Sequence, residues 1–332
     1  MSERTGIAWA DSTFNPWLGC TKISDGCTGC YAAVSTPART LGVKWGAGQP
    51  RRRTSEANWR QPLAWNKAPF VECMACGWRG EARKAKVTAY PEGFYPPVPM
   101  MKACPSCGEP ALLEARRRVF CGSLCDVFDN AVPPEWRYGL FDLIDRTPRL
   151  TWMLLTKRIG IVQQMWPWPL PPNVWIGATV VNQEEADRDI PKLLAVRATV
   201  RFLSIEPMLE SIDLRDPPND IGEPRLNWLT GIEAIDGPHI DWIIVGGESD
   251  QPGHKARPFK IAWARDIVRQ CKVAGVPCFV KQLGSLPFER RVDNDGGWFL
   301  SVHDPCRIEL RDRAGADPSE WPEDLRVREL PR

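Results

Sequence analysis

Histidine is scarce in this chain of 332 residues. Only His239, His254 and His303 occur, and no His-rich motif surrounds them, which argues against a two-metal nuclease. No apolar run approaches the roughly 20 residues needed to span a bilayer, so a membrane partner is not expected. The opening Met-Ser-Glu-Arg-Thr-Gly lacks the apolar core of a signal peptide, and the expected compartment is therefore the reducing cytoplasm. A hydrophobic share of 43% and a charged share of 25% exclude wholesale disorder, and a net charge of +2 gives the chain as a whole no pull toward nucleic acid.

Cysteine, by contrast, is plentiful and clustered. In a reducing compartment twelve cysteines point to metal ligands or buried thiols rather than disulfides. Cys20, Cys27 and Cys30 form one group, and Cys73, Cys76, Cys104 and Cys107 a second. Cys121, Cys125, Cys271, Cys278 and Cys306 read as buried thiols.

The first group is spaced Cys-x6-Cys-x2-Cys, with Ser24-Asp25-Gly26 and Thr28-Gly29 letting the backbone curl between the thiolates. Three thiolates can hold three irons of a four-iron cluster and leave the fourth open to a ligand. A zinc site completed by a distant fourth ligand, or three unrelated thiols, fits the spacing as well. The second group is two Cys-x-x-Cys knuckles, each followed directly by glycine (Gly77 and Gly108), the pattern of a closed structural zinc ribbon or a rubredoxin-like single iron. A closed site has no open coordination position, so its expected role is to fold the segment around it.

Between Arg39 and Arg118 fifteen Lys or Arg face six Glu and no Asp, including the runs Arg51-Arg52-Arg53 and Arg116-Arg117-Arg118, with Trp45, Trp59, Trp65 and Trp78 interleaved. Basic residues separated by aromatics suit a phosphate backbone and unstacked bases, although a solvated basic face has the same composition.

From about residue 117 short β-branched runs alternate with helical stretches, the pattern of a parallel βα architecture. Strands are expected over 118–124, 150–156, 174–180, 200–205, 241–245 and 277–282, and helices over 134–146, 159–165, 183–195 and 261–274. A further strand near 6–10 would precede the first cysteine group, and 213–239 reads as a loop. The strands end in Cys125-Asp126, Thr156-Lys157-Arg158, Val181-Asn182-Gln183, Ile205-Glu206-Pro207, Gly246-Gly247-Glu248-Ser249 and Lys281-Gln282. Polar groups at six strand ends point to a shared C-terminal mouth, where β/α barrels assemble their sites; some of them would instead cap the following helices. The expected fold is α/β, a partial (β/α) barrel with an inserted zinc ribbon. Residues 1–44 would carry the first strand and cysteine loop, 45–115 the basic insertion, 116–286 the rest of the barrel, and 287–332 a charged extension that is loose at its end, with a turn at Asp293-Asn294-Asp295-Gly296-Gly297.

The blocks GIAWADSTFNPWLGCTKISDGCTGCYA (6–32), LLTKR (154–158), NVWIGATVVNQEEAD (173–187), VRFLSIEPML (200–209), DWIIVGGES (241–249) and AGVPCFVKQLG (274–284) resemble the phage-associated three-cysteine family, which is regarded as radical S-adenosylmethionine (SAM) like. The resemblance covers about two thirds of the chain and leaves out the insertion and the tail. It implies a barrel of radical SAM type with a [4Fe-4S] cluster on Cys20, Cys27 and Cys30, SAM on the open iron, an external electron donor, and a 5'-deoxyadenosyl radical that abstracts hydrogen from substrate. The spacing departs from the commonest radical SAM pattern by three residues in the first gap. On this reading Gly246, Gly247 and Glu248 would hold the SAM amino group and Asn182 its ribose. Glu206, Lys157 and Lys281 would bind SAM carboxylate or substrate, or form salt bridges completing the barrel; Asp126 is a weaker candidate. The basic insertion makes a nucleic acid or nucleobase derivative the expected substrate of a modification or repair reaction in a phage-infected bacterial cytoplasm. A noncatalytic, metal-stabilised nucleic-acid-binding protein is the alternative, and a cluster enzyme without SAM ranks third. The bond transformed, the oligomeric state and any protein partner are not legible.

Overall fold

A computed structural model describes residues 5–88, 101–215, 227–231, 237–289 and 306–331. Seven strands form one parallel sheet in chain order: β1 (Ser12–Phe14), β2 (Arg117–Cys121), β3 (Leu150–Thr156), β4 (Val174–Thr179), β5 (Val200–Ile205), β6 (Trp242–Gly246) and β7 (Cys278–Gln282). Each strand pairs with the next in sequence, as successive crossovers of one hand require, and β1 and β7 stay at opposite edges. The sheet is therefore a half-barrel, the expected α/β architecture.

The outer face is covered by α1 (Glu56–Lys67), α2 (Pro134–Asp145), α3 (Gln183–Leu194) and α4 (Ile261–Ala274). In α3 the buried apolar residues Ala186, Ile190, Leu193 and Leu194 recur at helical spacing, and the Asn182 side chain accepts from the Glu185 amide at 2.9 Å to cap its first turn. In α4 the apolar stripe is Ile261, Ala264, Ile267 and Cys271, closed by Gly275 at φ 71°. Helix α1 comes from the expected insertion, yet its Trp59 stacks edge-on against Phe14 of β1 at 5.7 Å.

The inner face alternates with a period of two. Met153 and Leu155, Trp175, Phe202, Trp242 and Ile244, and Phe279 point inward with Trp9 and Phe120, plugging the N-terminal half of the interior. Gly177 makes room for one of these rings, since a Cβ there would lie 2.5 Å from Phe202. Extending the same alternation carries Lys157, Thr179, Ser204, Glu206 and Lys281 to the C-terminal mouth. Between β6 and β7 the register shifts at Val245/Gly246, so that Gly246 pairs with Gln282 and Lys281 is left as the extra residue of a bulge beside the site.

Three expectations are corrected. The first strand is Ser12–Phe14, because Ile7 to Ala10 form a turn whose apolar signal comes from the Trp9 plug, edge-on to Phe120 at 4.6 Å. The 159–165 segment is a 3-10 turn followed by one short helical turn, Val162–Met165. The tail is not loose at its end: the Val280 amide donates to Val327 O at 2.9 Å, Trp242 Nε1 to Glu329 O at 2.9 Å, and Trp321 and Leu325 are buried. Arg328, one of the charges that suggested looseness, lies over Phe279 and Trp321. The expected turn at 293–297 and most of 213–239 lie outside the described residues. Among the described residues no helix is long and apolar enough to cross a membrane.

Candidate functional site

Cys20, Cys27 and Cys30 lie on one loop that leaves β1 and arches over the C-terminal mouth. Gly19, at φ 103°, starts it by donating to Leu124 O at 3.2 Å. A Ser24-capped 3-10 turn, Asp25–Cys27, then directs Cys27 and Cys30 to the same side. Three anchors hold the loop from outside. Arg51 Nη2 donates to Thr21 Oγ1 at 2.6 Å and Arg158 Nη2 to Thr21 O at 3.2 Å, Arg257 Nη1 donates to Asp25 O at 3.0 Å, and the Tyr31 hydroxyl donates to Ser123 O at 2.8 Å.

Below the loop is a cavity of about 480 Å³ lined by all three cysteines and by Lys157, Glu206, Gly247, Glu248 and Lys281. Lys281 Nζ and Glu206 Oε1 form an ion pair at 2.9 Å in its wall. The Glu248 carboxylate faces the same space but is engaged: Arg257 Nε and Nη2 donate to it at 2.8 Å each, the Arg257 amide at 3.0 Å, and His254 Nε2 lies at 3.2 Å. Burial opposes its ionisation, and the Arg257 bonds, with His254 beside them, outweigh that, holding its carboxyl below the usual range. Gly246 and Gly247 are close-packed; a Cβ on Gly247 would sit 2.3 Å from Leu283 O. Asn182 is spent on the α3 cap and does not line the cavity. Asp126 is buried, taking the Thr156 hydroxyl at 2.7 Å and the Phe128 amide at 2.9 Å.

Two features of the site carried no sequence signal, and a third, Cys125, stood at an expected strand end but read as a buried thiol. Arg257 and His254 lie in an irregular stretch after β6 and reach the cysteine loop only in the fold. Asp129 forms a fully buried pair with Arg51 at 2.7 Å, behind Thr21. Cys125 lines the cavity and is half-buried, unlike the fully enclosed Cys121, Cys271 and Cys278.

The cysteines of the first group do not gather as ligands of one ion do. Among the described residues Cys73, Cys76, Cys104 and Cys107 are the one group of three or more such ligands whose atoms all lie within 4.8 Å of one another. Thiolates that bind separate irons of one cube stand further apart than those sharing a single ion, so the open arrangement in a cavity of this size fits a cluster. Burial pushes the Cys20 thiol up to about 12, helped by Asp126 and opposed by Arg158, so metal binding there would release a proton.

The second group sits in a small three-stranded sheet of Phe70–Cys73, Arg79–Glu81 and Leu112–Glu114. Cys73 and Cys107, and Cys76 and Cys104, are 3.7 Å apart. That matches the edge of about 3.8 Å in a tetrahedron with metal–sulfur bonds of about 2.3 Å. Two ligands are buried and two exposed, and Gly77 and Gly108 turn each knuckle at φ 71° and 84°.

The basic runs are largely turned inward. Arg51 pairs with Asp129, Arg53 with Glu56, Arg117 with Glu81 and Arg118 with Asp11, and Trp59 and Trp65 are core residues. Only Arg52 and Arg116 of the two runs are exposed.

The chain matches the family described as "Protein of unknown function (DUF5131)" over residues 4–297. No curated protein and no solved structure matches it.

Proposed function

The chain belongs to that family, and we propose that it is an iron–sulfur enzyme of the radical SAM type acting on a nucleic acid or nucleobase derivative. The observation that carries this reading is the convergence of Cys20, Cys27 and Cys30 on one polar cavity at the C-terminal mouth of a parallel half-barrel. In that fold this mouth is where strand ends meet to do chemistry.

When bound, a cluster with an open iron and SAM would supply one-electron cleavage of a sulfonium. The three cysteines hold the cluster. The Glu206–Lys281 pair would offer its carboxylate to the amino group and its ammonium to the carboxylate of SAM, and the aromatic floor of Trp9 and Phe120 excludes water beneath. Glu248 acts through Arg257, positioning the loop. The knuckle cysteines bind zinc, fold their own small sheet and take no part in the reaction.

Anaerobic iron, sulfide and zinc quantitation tests the assignment, with Cys27→Ala alongside and an assay for 5'-deoxyadenosine. About four irons and one zinc per chain, iron lost in the variant and SAM cleaved by the wild type are the expected results. Two zincs, no iron after reconstitution and no SAM cleavage would instead leave a noncatalytic metal-stabilised protein.

A further inference from the structure

A second cavity, of about 550 Å³, opens on the other side of the cysteine loop from the first. It is lined by Thr21 and Ile23 of that loop and by four cationic side chains, Lys157, Arg158, Arg188 and Lys192, against the single carboxylate of Asp189. Lys157 lines both cavities, and its stem passes so close to the loop that a Cβ on Gly26 would lie 3.5 Å from its Cε.

The four cations are not equally spoken for. Asp189 holds Arg188 at 2.6 Å and Lys192 at 3.0 Å, which aims both toward the cavity. Arg158 is 8% exposed, its Nη1 has no hydrogen-bond partner, and its nearest carboxylate oxygens, on Asp129 and Asp126, lie at 3.7 and 4.0 Å. The Lys157 ammonium makes no ion pair or hydrogen bond with any described residue. A half-buried ammonium with no partner of its own, next to a guanidinium whose two carboxylate neighbours stand off at 3.7 and 4.0 Å, is stabilised by an anion beside it.

We propose that this cavity binds a phosphate group of the substrate, carried by a nucleotide or by a nucleic-acid strand. Lys157 has no carboxylate partner and Arg188 and Lys192 share one, so the three together suit the oxygens and double charge of a phosphate. The neighbouring cavity has Trp9, Tyr31, Trp45 and Phe120 in its lining, so a base entering there would leave its phosphate beside Lys157. This second step rests on the cysteine cavity being the reaction site; the phosphate site itself does not.

Binding of thymidine, thymidine 5'-monophosphate and a ten-nucleotide single-stranded DNA, measured by calorimetry without SAM, tests the proposal, with iron content recorded separately for each preparation. The monophosphate, the strand or both should bind at least about tenfold tighter than thymidine. The preference of one phosphorylated probe over the other identifies the source of the phosphate. Lys157→Met, which leaves no carboxylate unpaired, should remove most of that preference. Lys192→Met, which leaves Asp189 its Arg188 partner, should remove part of it, and the exposed Arg269→Ala none. For the strand, the slope of log K against log salt should fall by about 0.7 in Lys157→Met. Equal binding of thymidine and both phosphorylated probes, or an undiminished preference in Lys157→Met with its fold intact by circular dichroism, overturns the phosphate site. Loss of iron alone affects only the cluster reading.

Discussion

Arg257→Ala should open the cysteine loop without unfolding the barrel. The guanidinium makes two bonds of 2.8 Å to Glu248 and one of 3.0 Å to Asp25 O. Glu248 is 7% exposed at its side chain and Arg257 28%, so the truncation strands a buried carboxylate that water reaches only in part. Breaking a fully buried pair costs about 3–5 kcal/mol, and the partial exposure of Arg257 lowers the expected cost to about 2 kcal/mol. Applied to local opening, that is about thirtyfold more open loop at equilibrium. The amides of Cys27 and Thr28 report it directly, since they donate to Ser24 O and Asp25 O within the turn. Hydrogen exchange of these two amides should quicken about thirtyfold while those of β3 and β4 keep their rates. The sign with pH follows from Glu248, whose folded carboxyl titrates below its ordinary value of 4.5. Its stabilisation is present above about pH 4.5 and is lost as pH falls through the lower folded value. In the wild type acid opening of the loop should set in as pH falls below about 4.5, and in the variant, where Arg257 no longer holds the carboxyl down against burial, that acid limb should shrink. Exchange unchanged within twofold at neutral pH would refute the role given to Arg257.

Two further outcomes follow from the close approaches and the knuckles. In Gly29→Ala the new Cβ would meet His254 Cδ2 at 2.3 Å and Glu248 Oε1 at 2.6 Å, so the clamp must shift; about 1–3 kcal/mol of stability should be lost, read by urea unfolding, whereas Gly6→Ala, which meets nothing within 4 Å, should cost little. In Cys76→Ser one metal equivalent per chain should disappear and limited proteolysis should cut within 70–114, with the far-ultraviolet signal of the half-barrel retained; collapse of the whole fold would show that the small sheet is not a separable metal-held unit.

The half-barrel was legible because a parallel sheet covered on both faces turns each strand into an apolar run, and six runs of that kind stand between polar punctuation. Helix α4 was readable to the residue, from its stripe and its closing glycine. The three-residue β1 was not, since an edge strand that short carries less pattern than the Trp9 plug beside it. Charge misled for a different reason. Composition records that Arg51, Arg117 and Arg118 are basic, but their partners Asp129, Glu81 and Asp11 stand far from them along the chain, and only the fold brings them together. At the mouth, the cation without a partner among the described residues is instead Lys157, which the sequence showed only within one strand end among six. The Cys-x-x-Cys knuckles were legible outright, because ligand spacing and turn glycine are both local.

The buried ions behind the loop explain why a segment of glycine, serine and threonine is ordered at all. Arg51 and Asp129 are both fully buried, and removing either would leave the other as an uncompensated charge, so the pair fixes the backbone around it whatever its net contribution to stability. Arg51 and Arg158 both hold Thr21, the residue after Cys20, while Arg257 holds Asp25 and Ser123 holds Tyr31. Every anchor thus falls beside a cysteine and none on a sulfur. The sulfurs of Cys27 and Cys30 take no hydrogen-bond partner among the described residues, and that of Cys20 takes only a carbonyl at 3.5 Å. Thiols kept for packing look different in this same chain: Cys121 and Cys271 are enclosed by apolar neighbours of the core. A loop whose backbone is pinned at three points while its sulfurs face a polar cavity is organised as a ligand set, with the ordering cost of binding already met by the protein.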